Sequence, residues 1–240
     1  MNLIIDIGNS RTKFACFKNN EIIHVNYYLT IDQNAVREIK SRFSSFRNII
    51  VSSVKKEDDF QYNLISKHFE NVILLNQNTK LPIEICYKST NTLGMDRIAA
   101  VVGASHMFPK QNVLIIDAGT AITFDFLNSK NQYMGGNISP GLNMRFQALN
   151  KFTGNLPLLS PLDEFQLIGN STSQAIISGV QNGMIFEIDT YIHELKMKYS
   201  DLKVIFTGGD SFFFERKLKN PIFAESNLVL IGLNKIIDYQ

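Results

Sequence analysis

Neither GxxxxGK[ST] nor GxGxxG occurs in the 240 residues, so the chain offers a nucleotide neither a P-loop nor a dinucleotide-binding fingerprint. Cysteine is scarce. Cys16 and Cys86 are the only two, without CxxC or Cys/His spacing, which argues against a disulfide framework or a thiolate metal site and leaves two buried thiols as the expectation. No apolar run approaches the ~20 residues that cross a bilayer, and the first strand follows one Asn with no basic or signal-type segment ahead of it. A membrane span or secretory leader is therefore not expected, and the cytoplasm is the simplest compartment. Charge of one sign is missing as well: the net charge is +2, and runs such as Lys55-Lys56-Glu57-Asp58-Asp59 mix both signs. That run reads as a solvated face, and nucleic acid is not expected as a partner.

What is present is a repeat. Leu3-Ile4-Ile5-Asp6-Ile7-Gly8 returns as Leu114-Ile115-Ile116-Asp117-Ala118-Gly119, and Asp117 stands 111 positions after Asp6. Each copy is an apolar β-branched run, a tight polar turn and a second strand. The first turn continues through Asn9, Ser10, Arg11, Thr12 and Lys13, the second through Thr120, Ala121 and Thr123. Such a turn can cradle phosphate: glycine removes the Cβ that would block approach, backbone N–H groups can converge, and hydroxyls add donors. The Asp at the strand end would repel phosphate unless a cation lay between them. An ordinary hairpin built with Asp and Asn has the same local pattern, but two copies in one chain favour duplicated halves serving one ligand. The composition, 45% hydrophobic and 19% charged, is that of a globular protein with a core.

Strands are expected at 21–28, 48–54, 72–75, 132–138 and 203–206. Helices are expected over 31–43, with Asp32 near its start, and over 60–69, 93–104, 141–149, 170–199 and 228–237. Residues 152–169 read as a long irregular connection. In the helix beginning near Thr172, the residues Ile176, Gly179, Val180 and Gly183 form a stripe at three-to-four-residue spacing. The stripe suits either a core helix or close contact with another helix. At the mouth of an alanine-rich apolar helix stand Gly94, Met95, Asp96 and Arg97. This pair reads either as a helix-start Asp with a solvated Arg or as a carboxylate base beside a cationic substrate anchor.

The two Asp-containing hairpins resemble the phosphate motifs of the actin-like, RNase H-like superfamily that contains sugar kinases, Hsp70-type ATPases and actin. Within it, DIGNSRTK, Leu93-Gly94-Met95-Asp96-Arg97, DAGTAITFD, Gly135-Gly136-Asn137-Ile138-Ser139-Pro140-Gly141 and Thr207-Gly208-Gly209-Asp210 are similar, in order, to the motifs of type III pantothenate kinase. The resemblance implies an α/β fold of two actin-like halves, residues 1–109 and 110–240, each a mixed five-stranded sheet with flanking helices. It implies ATP-dependent phosphorylation of pantothenate, the first step of coenzyme A biosynthesis. ATP would be bound through Asp6, Ile7, Gly8, Asn9, Ser10, Arg11, Thr12, Lys13, Thr120, Gly208 and Gly209, with Asp6 positioning Mg²⁺ through water. Asp96 would be the base, and Tyr87, Gly94, Met95, Arg97 and Thr172 would contact substrate. Asp117 would hold K⁺ or NH₄⁺. A homodimer sharing its substrate pocket is implied as well, since the family's equivalent of Thr172 reaches pantothenate in the neighbouring subunit. An actin-like kinase for another hydroxylated substrate, or a nucleotide-binding regulatory module, would share the hairpins without needing Gly94-Met95-Asp96-Arg97.

Overall fold

The computed structural model describes residues 1–43, 45–54 and 59–240. The chain divides into two compact units, residues 1–109 with 227–240 and residues 110–226.

In the first unit, β1 (Asn2–Ile7), β2 (Thr12–Lys18) and β3 (Glu21–Tyr28) are antiparallel neighbours, and β4 (Asn48–Ser53) and β5 (Val72–Leu74) continue the sheet in parallel, giving the order β3-β2-β1-β4-β5. The β2–β3 turn is Asn19-Asn20, both at positive φ (53° and 67°), which asparagine tolerates better than most side chains and which matches the twist of a two-residue hairpin. Leu3, Ile5, Ile7, Ile49 and Val51 share one face with α1 (Gln33–Arg42) and α2 (Asp59–His68). Asp32 caps α1, its side chain accepting from the Ala35 N–H at 2.8 Å. Of the charge run at 55–59, residues 55–58 lie outside the described residues. After β6 (Glu84–Ile85) and a 3₁₀ turn at Thr90–Thr92 comes α3 (Met95–Met107). It begins two residues later than expected because Leu93 and Gly94 are extended, with Gly94 as its N-cap. Cys16 is buried as expected, but Cys86 is exposed, because the strand there is only two residues long and ends before it.

In the second unit, β7 (Val113–Ala118), β8 (Ala121–Leu127) and β9 (Gln132–Pro140) form an antiparallel meander. After α4 (Leu142–Phe152) and the long irregular stretch, α5 (Thr172–Lys198) leads to β10 (Lys203–Thr207), α6 (Ser211–Glu215) and β11 (Phe223–Ala224), giving the order β11-β10-β7-β8-β9. Strands β10 and β7 are parallel, with Thr207 opposite Asp117. The stripe on α5 splits. Ile176, Val180, Met184, Ile188 and Ile192 enter the unit's own core, whereas Gly179 and Gly183 face outward and a Cβ built on either meets nothing within 4 Å. Among the described residues no helix makes the close approach that the stripe suggested at those glycines. Asp125 is a buried structural carboxylate, accepting from Tyr133 Oη at 2.6 Å and from Thr123 Oγ1 at 3.1 Å.

The closing helix, α7 (Leu228–Asp238), belongs to the first unit, although division at residue 109 assigns it to the second half. It packs along α3 and over β1 and β4. Its apolar residues Leu228, Leu230, Leu233 and Ile236 are fully buried. Glycine makes the crossing close: a Cβ on Gly232 would lie 1.7 Å from the Ala99 carbonyl oxygen, and one on Gly103 would lie 2.4 Å from that of Leu228. The ends of the chain are tied together, with Asn2 Nδ2 donating to Asn234 Oδ1 at 2.9 Å and to Asp238 Oδ1 at 3.1 Å. The architecture is the expected one, two mixed sheets with flanking helices. Among the described residues no helix is long and apolar enough to cross a membrane.

Candidate active site

In the first unit the β1–β2 turn closes through Gly8, whose N–H donates to the Arg11 carbonyl at 3.2 Å. Asn9, Ser10 and Arg11 are exposed while Thr12 is buried, and the Arg11 guanidinium lies 4.7 Å from the Tyr27 ring centroid. Asp6 stands one residue before the end of β1, opposite Lys13 on β2 and Ser52 on β4. Strand alternation puts Asp6 and Ser52 on the face away from α1 and α2, the face over which α3 and α7 pack. Burial pushes the Asp6 carboxyl up to about 6; Lys13 opposes that shift, the Asp96 carboxylate reinforces it and Ser52 opposes it. Asp6 and Asp96, chosen separately from sequence, therefore feel one another.

Asp96 stands in the first turn of α3, with Oδ1 accepting from the Arg97 N–H at 2.9 Å. Gly94 makes room for that carboxylate, since a Cβ there would sit 2.5 Å from Asp96 Oδ1. Arg97 is buried, unlike the solvated arginine of the simpler sequence alternative, and its guanidinium lies 5.8 Å from the Tyr87 ring centroid. Met95 is buried too. The first unit thus gathers Asp6, Lys13 and Asp96 by charge, and Tyr87 and Arg97 by contact.

In the second unit the β7–β8 turn closes through the Gly119 N–H, which donates to the Ala121 carbonyl at 3.0 Å and leaves Thr120 exposed. The Thr207–Asp210 turn presses against it. Gly208 has φ of +98°, its Cβ would lie 2.4 Å from the Ala118 oxygen and 2.5 Å from Asp117 Oδ1, and the Asp210 N–H donates to the Ala118 carbonyl at 2.9 Å. Only glycine satisfies both the backbone angle and the space. Gly209 is exposed, and Asp210, which no role was given from sequence, is half-buried with its carboxyl raised by desolvation. Thr172 opens α5 and is exposed; the Ser171 side chain before it caps the helix by accepting from the Gln174 N–H at 3.3 Å.

The donor chemistry suits two different cations. Asp6 is buried and its Oδ1 has no hydrogen-bond partner, so the carboxylate is not already spent on a neighbour when a cation or its water binds. Asp117 and the Ala118 carbonyl supply hard oxygens side by side, a set suited to a monovalent cation. Among the described residues no group of three or more His, Cys, Asp and Glu side chains could hold a metal ion.

The Asp6–Ser52 pair is what the sequence did not reveal. Ser52 is fully buried, and neither its Oγ nor Asp6 Oδ1 has a hydrogen bond of standard geometry, although the hydroxyl is near enough to lower the Asp6 pKa. The two groups are adjacent but not hydrogen-bonded. A hydroxyl ending the apolar run of β4 was the available signal.

Residues 2–194 match the family model of type III pantothenate kinase. A type III pantothenate kinase of Phocaeicola vulgatus is 46% identical over 240 residues, covering all of this chain and 99% of that one. One from Christiangramia forsetii is 44% identical, with 100% and 99% coverage. Among solved structures, a Campylobacter jejuni protein assigned to the Baf family of transcriptional activators superposes with a TM-score of 0.63 at 22% identity, covering 99% of this chain and 98% of that one. An inorganic polyphosphate/ATP-glucomannokinase from Arthrobacter sp. strain KM superposes with a TM-score of 0.53 at 14% identity and full coverage of both chains. At such identities these two likenesses describe the fold alone.

Proposed function

Because this chain belongs to the type III pantothenate kinase family, we propose that it transfers the γ-phosphoryl group of ATP to the primary hydroxyl of pantothenate, giving 4'-phosphopantothenate and ADP as the first step of coenzyme A biosynthesis. The observation that carries the reading is the buried Asp6 carboxylate, with one oxygen unpartnered, coupled by charge to Asp96 at the start of α3.

Phosphoryl transfer needs the nucleotide phosphates held, their charge neutralised, and an acceptor hydroxyl in line beside a base. Asp6 and Ile7 end the strand that presents the turn, and Gly8 to Lys13 hold the phosphates through backbone N–H groups and the Ser10 and Thr12 hydroxyls. Lys13 and Arg11 supply positive charge. Thr120 donates to phosphate from the second turn, and Gly208 and Gly209 leave a flat backbone against adenosine. Asp96 accepts the proton of the pantothenate hydroxyl as its oxygen bonds to the γ-phosphorus and the bond to the β,γ-bridging oxygen breaks. Arg97, stacked toward Tyr87, is suited to hold the substrate carboxylate in bidentate fashion, with Gly94 and Met95 shaping the approach. Asp6 would hold Mg²⁺, and Asp117 would hold K⁺ or NH₄⁺. When bound, these ions neutralise phosphate charge.

The outward face of α5 around Gly179, Gly183 and the half-exposed Phe186 is open among the described residues and suits a second copy. We therefore extend the reading to a homodimer in which Thr172 contacts the substrate of the neighbouring subunit. The enzyme acts in the cytoplasm, without nucleic acid or membrane as a partner. ADP release in the presence of Mg²⁺ and K⁺, measured with pantothenate and with a panel of sugars, tests the reading. Turnover with pantothenate alone is expected; turnover with a sugar but not with pantothenate would overturn it.

A further inference from the structure

We infer that Ser52 is a positioning residue for Asp6: its hydroxyl, on the neighbouring parallel strand, turns the Asp6 carboxylate so that one oxygen stays inside the layer beneath α3 and α7 while the other is presented to the hydrated cation of the nucleotide. The inference rests on the proposed metal role of Asp6. In the β1–β4 ladder Asp6 is the register partner of Ser52, so the two side chains leave the sheet on the same face. Ile4 and Ile50, two residues before each, are fully buried on that same face, so the carboxylate and hydroxyl close an otherwise apolar double row. Ser52 has no exposed surface, and its Oγ and Asp6 Oδ1 are the two buried side-chain polar atoms without a hydrogen-bond partner among the described residues.

A buried hydroxyl without a partner is destabilising, and alanine would fill the same space without that penalty. A donor beside an orphaned acceptor is instead what a carboxylate needs in order to be held in one orientation when it takes up a cation. Outer partners of this kind commonly change metal affinity tenfold or more.

The test measures Mn²⁺ binding by electron paramagnetic resonance to the full chain with a non-hydrolysable ATP analogue, together with metal-free nucleotide binding and thermal melting. Ser52→Ala should weaken Mn²⁺ binding about tenfold or more, leaving metal-free nucleotide affinity nearly unchanged and the melting temperature unchanged or higher. Ser52→Cys, similar in shape but a weaker donor, should fall between Ala and Ser, and it decides the matter if the Ala variant does not fold. Mn²⁺ affinity within twofold of the parent in Ser52→Ala, or in Ser52→Cys where only that variant folds, would overturn the inference if Asp6→Asn loses the metal in the same assay. If Asp6→Asn itself keeps Mn²⁺, the metal role of Asp6 fails and the inference falls with it, a result the assay separates from the first.

Discussion

Replacing Gly232 with Ala should damage the first unit although alanine is the better helix former. In an exposed helix interior the exchange is worth about 1 kcal/mol in favour of Ala. Here the new Cβ would sit 1.7 Å from the Ala99 carbonyl oxygen, 2.7 Å from its carbon and 2.9 Å from the Gly103 nitrogen, all of them backbone atoms of α3. No rotamer change relieves a backbone clash, so α7 and α3 must separate by more than 1 Å, near or above the ~1–3 kcal/mol typical of overpacking. The propensity gain offsets part of this, leaving a net loss of about 2 kcal/mol. Gly103→Ala, whose Cβ would come 2.4 Å from the Leu228 oxygen, should cost less than Gly232→Ala. The double variant should cost less than the two single losses together, because helices already forced apart accommodate the second methyl. Urea unfolding followed by circular dichroism supplies the stabilities. Turnover below the transition tests the link to Asp96, since a shift near 1 Å can cost about 10² in rate. A Gly232→Ala protein at least as stable as the parent, or strictly additive losses, would refute the reasoning.

Asp96→Asn should lower phosphoryl transfer by about 10²–10⁴ while ATP binding holds, and turnover above about a tenth of the parent would remove Asp96 from the base role. The Asp6 carboxyl binds its proton more tightly folded than unfolded, with pKa about 6 against 3.8, so metal-free stability falls as pH rises from about 4 through 6 and the loss is complete above that. Asp6→Asn should therefore stabilise the metal-free protein at pH 7.5 by roughly 1–3 kcal/mol, with little effect near pH 4, while weakening productive Mg·ATP binding; urea unfolding at the two pH values checks the sign, and no gain at pH 7.5 contradicts it. Turnover of the parent should depend on K⁺ or NH₄⁺, and Asp117→Ala should remove that dependence with most of the activity; equal rates in Na⁺ and K⁺ would exclude the cation assignment. Mixing Asp96→Asn with Thr172→Arg chains should restore activity through mixed dimers that keep one intact pocket. A monomer at micromolar concentration, or no recovery once subunit exchange is demonstrated, would rule out the shared pocket.

The hairpins and the start of α3 were legible because each couples a strong local signal to a polar interruption: apolar strings ending in Asp, and Asp96-Arg97 at the mouth of an alanine-rich helix. Long-range packing was not. Gly103 and Gly232 read locally as costs in helix propensity, and only the crossing shows why they are glycine. The stripe on α5 merged two faces, because residues three and four apart are both neighbours on a helix, and only the fold separates Ile176 and Val180 from Gly179 and Gly183. Nothing in the sequence pairs Ser52 with Asp6; the parallel register of β1 and β4 does. Cys86 is exposed against expectation because the apolar run around it pairs as strand over Glu84–Ile85 alone.

The return of α7 to the first unit bears on how the protein is made. The second unit is contiguous, residues 110–226, and can close while the chain is still leaving the ribosome. The first cannot. Its opening strand waits for a helix more than two hundred residues downstream, and until Leu228–Asp238 emerges, the apolar flank of α3 and one side of β1 and β4 stay uncovered. Contacts so distant in sequence are slow to form. The half-finished chain thus exposes a sticky surface beside Asp6 and Asp96 for most of its synthesis, until Leu228–Asp238 packs over it.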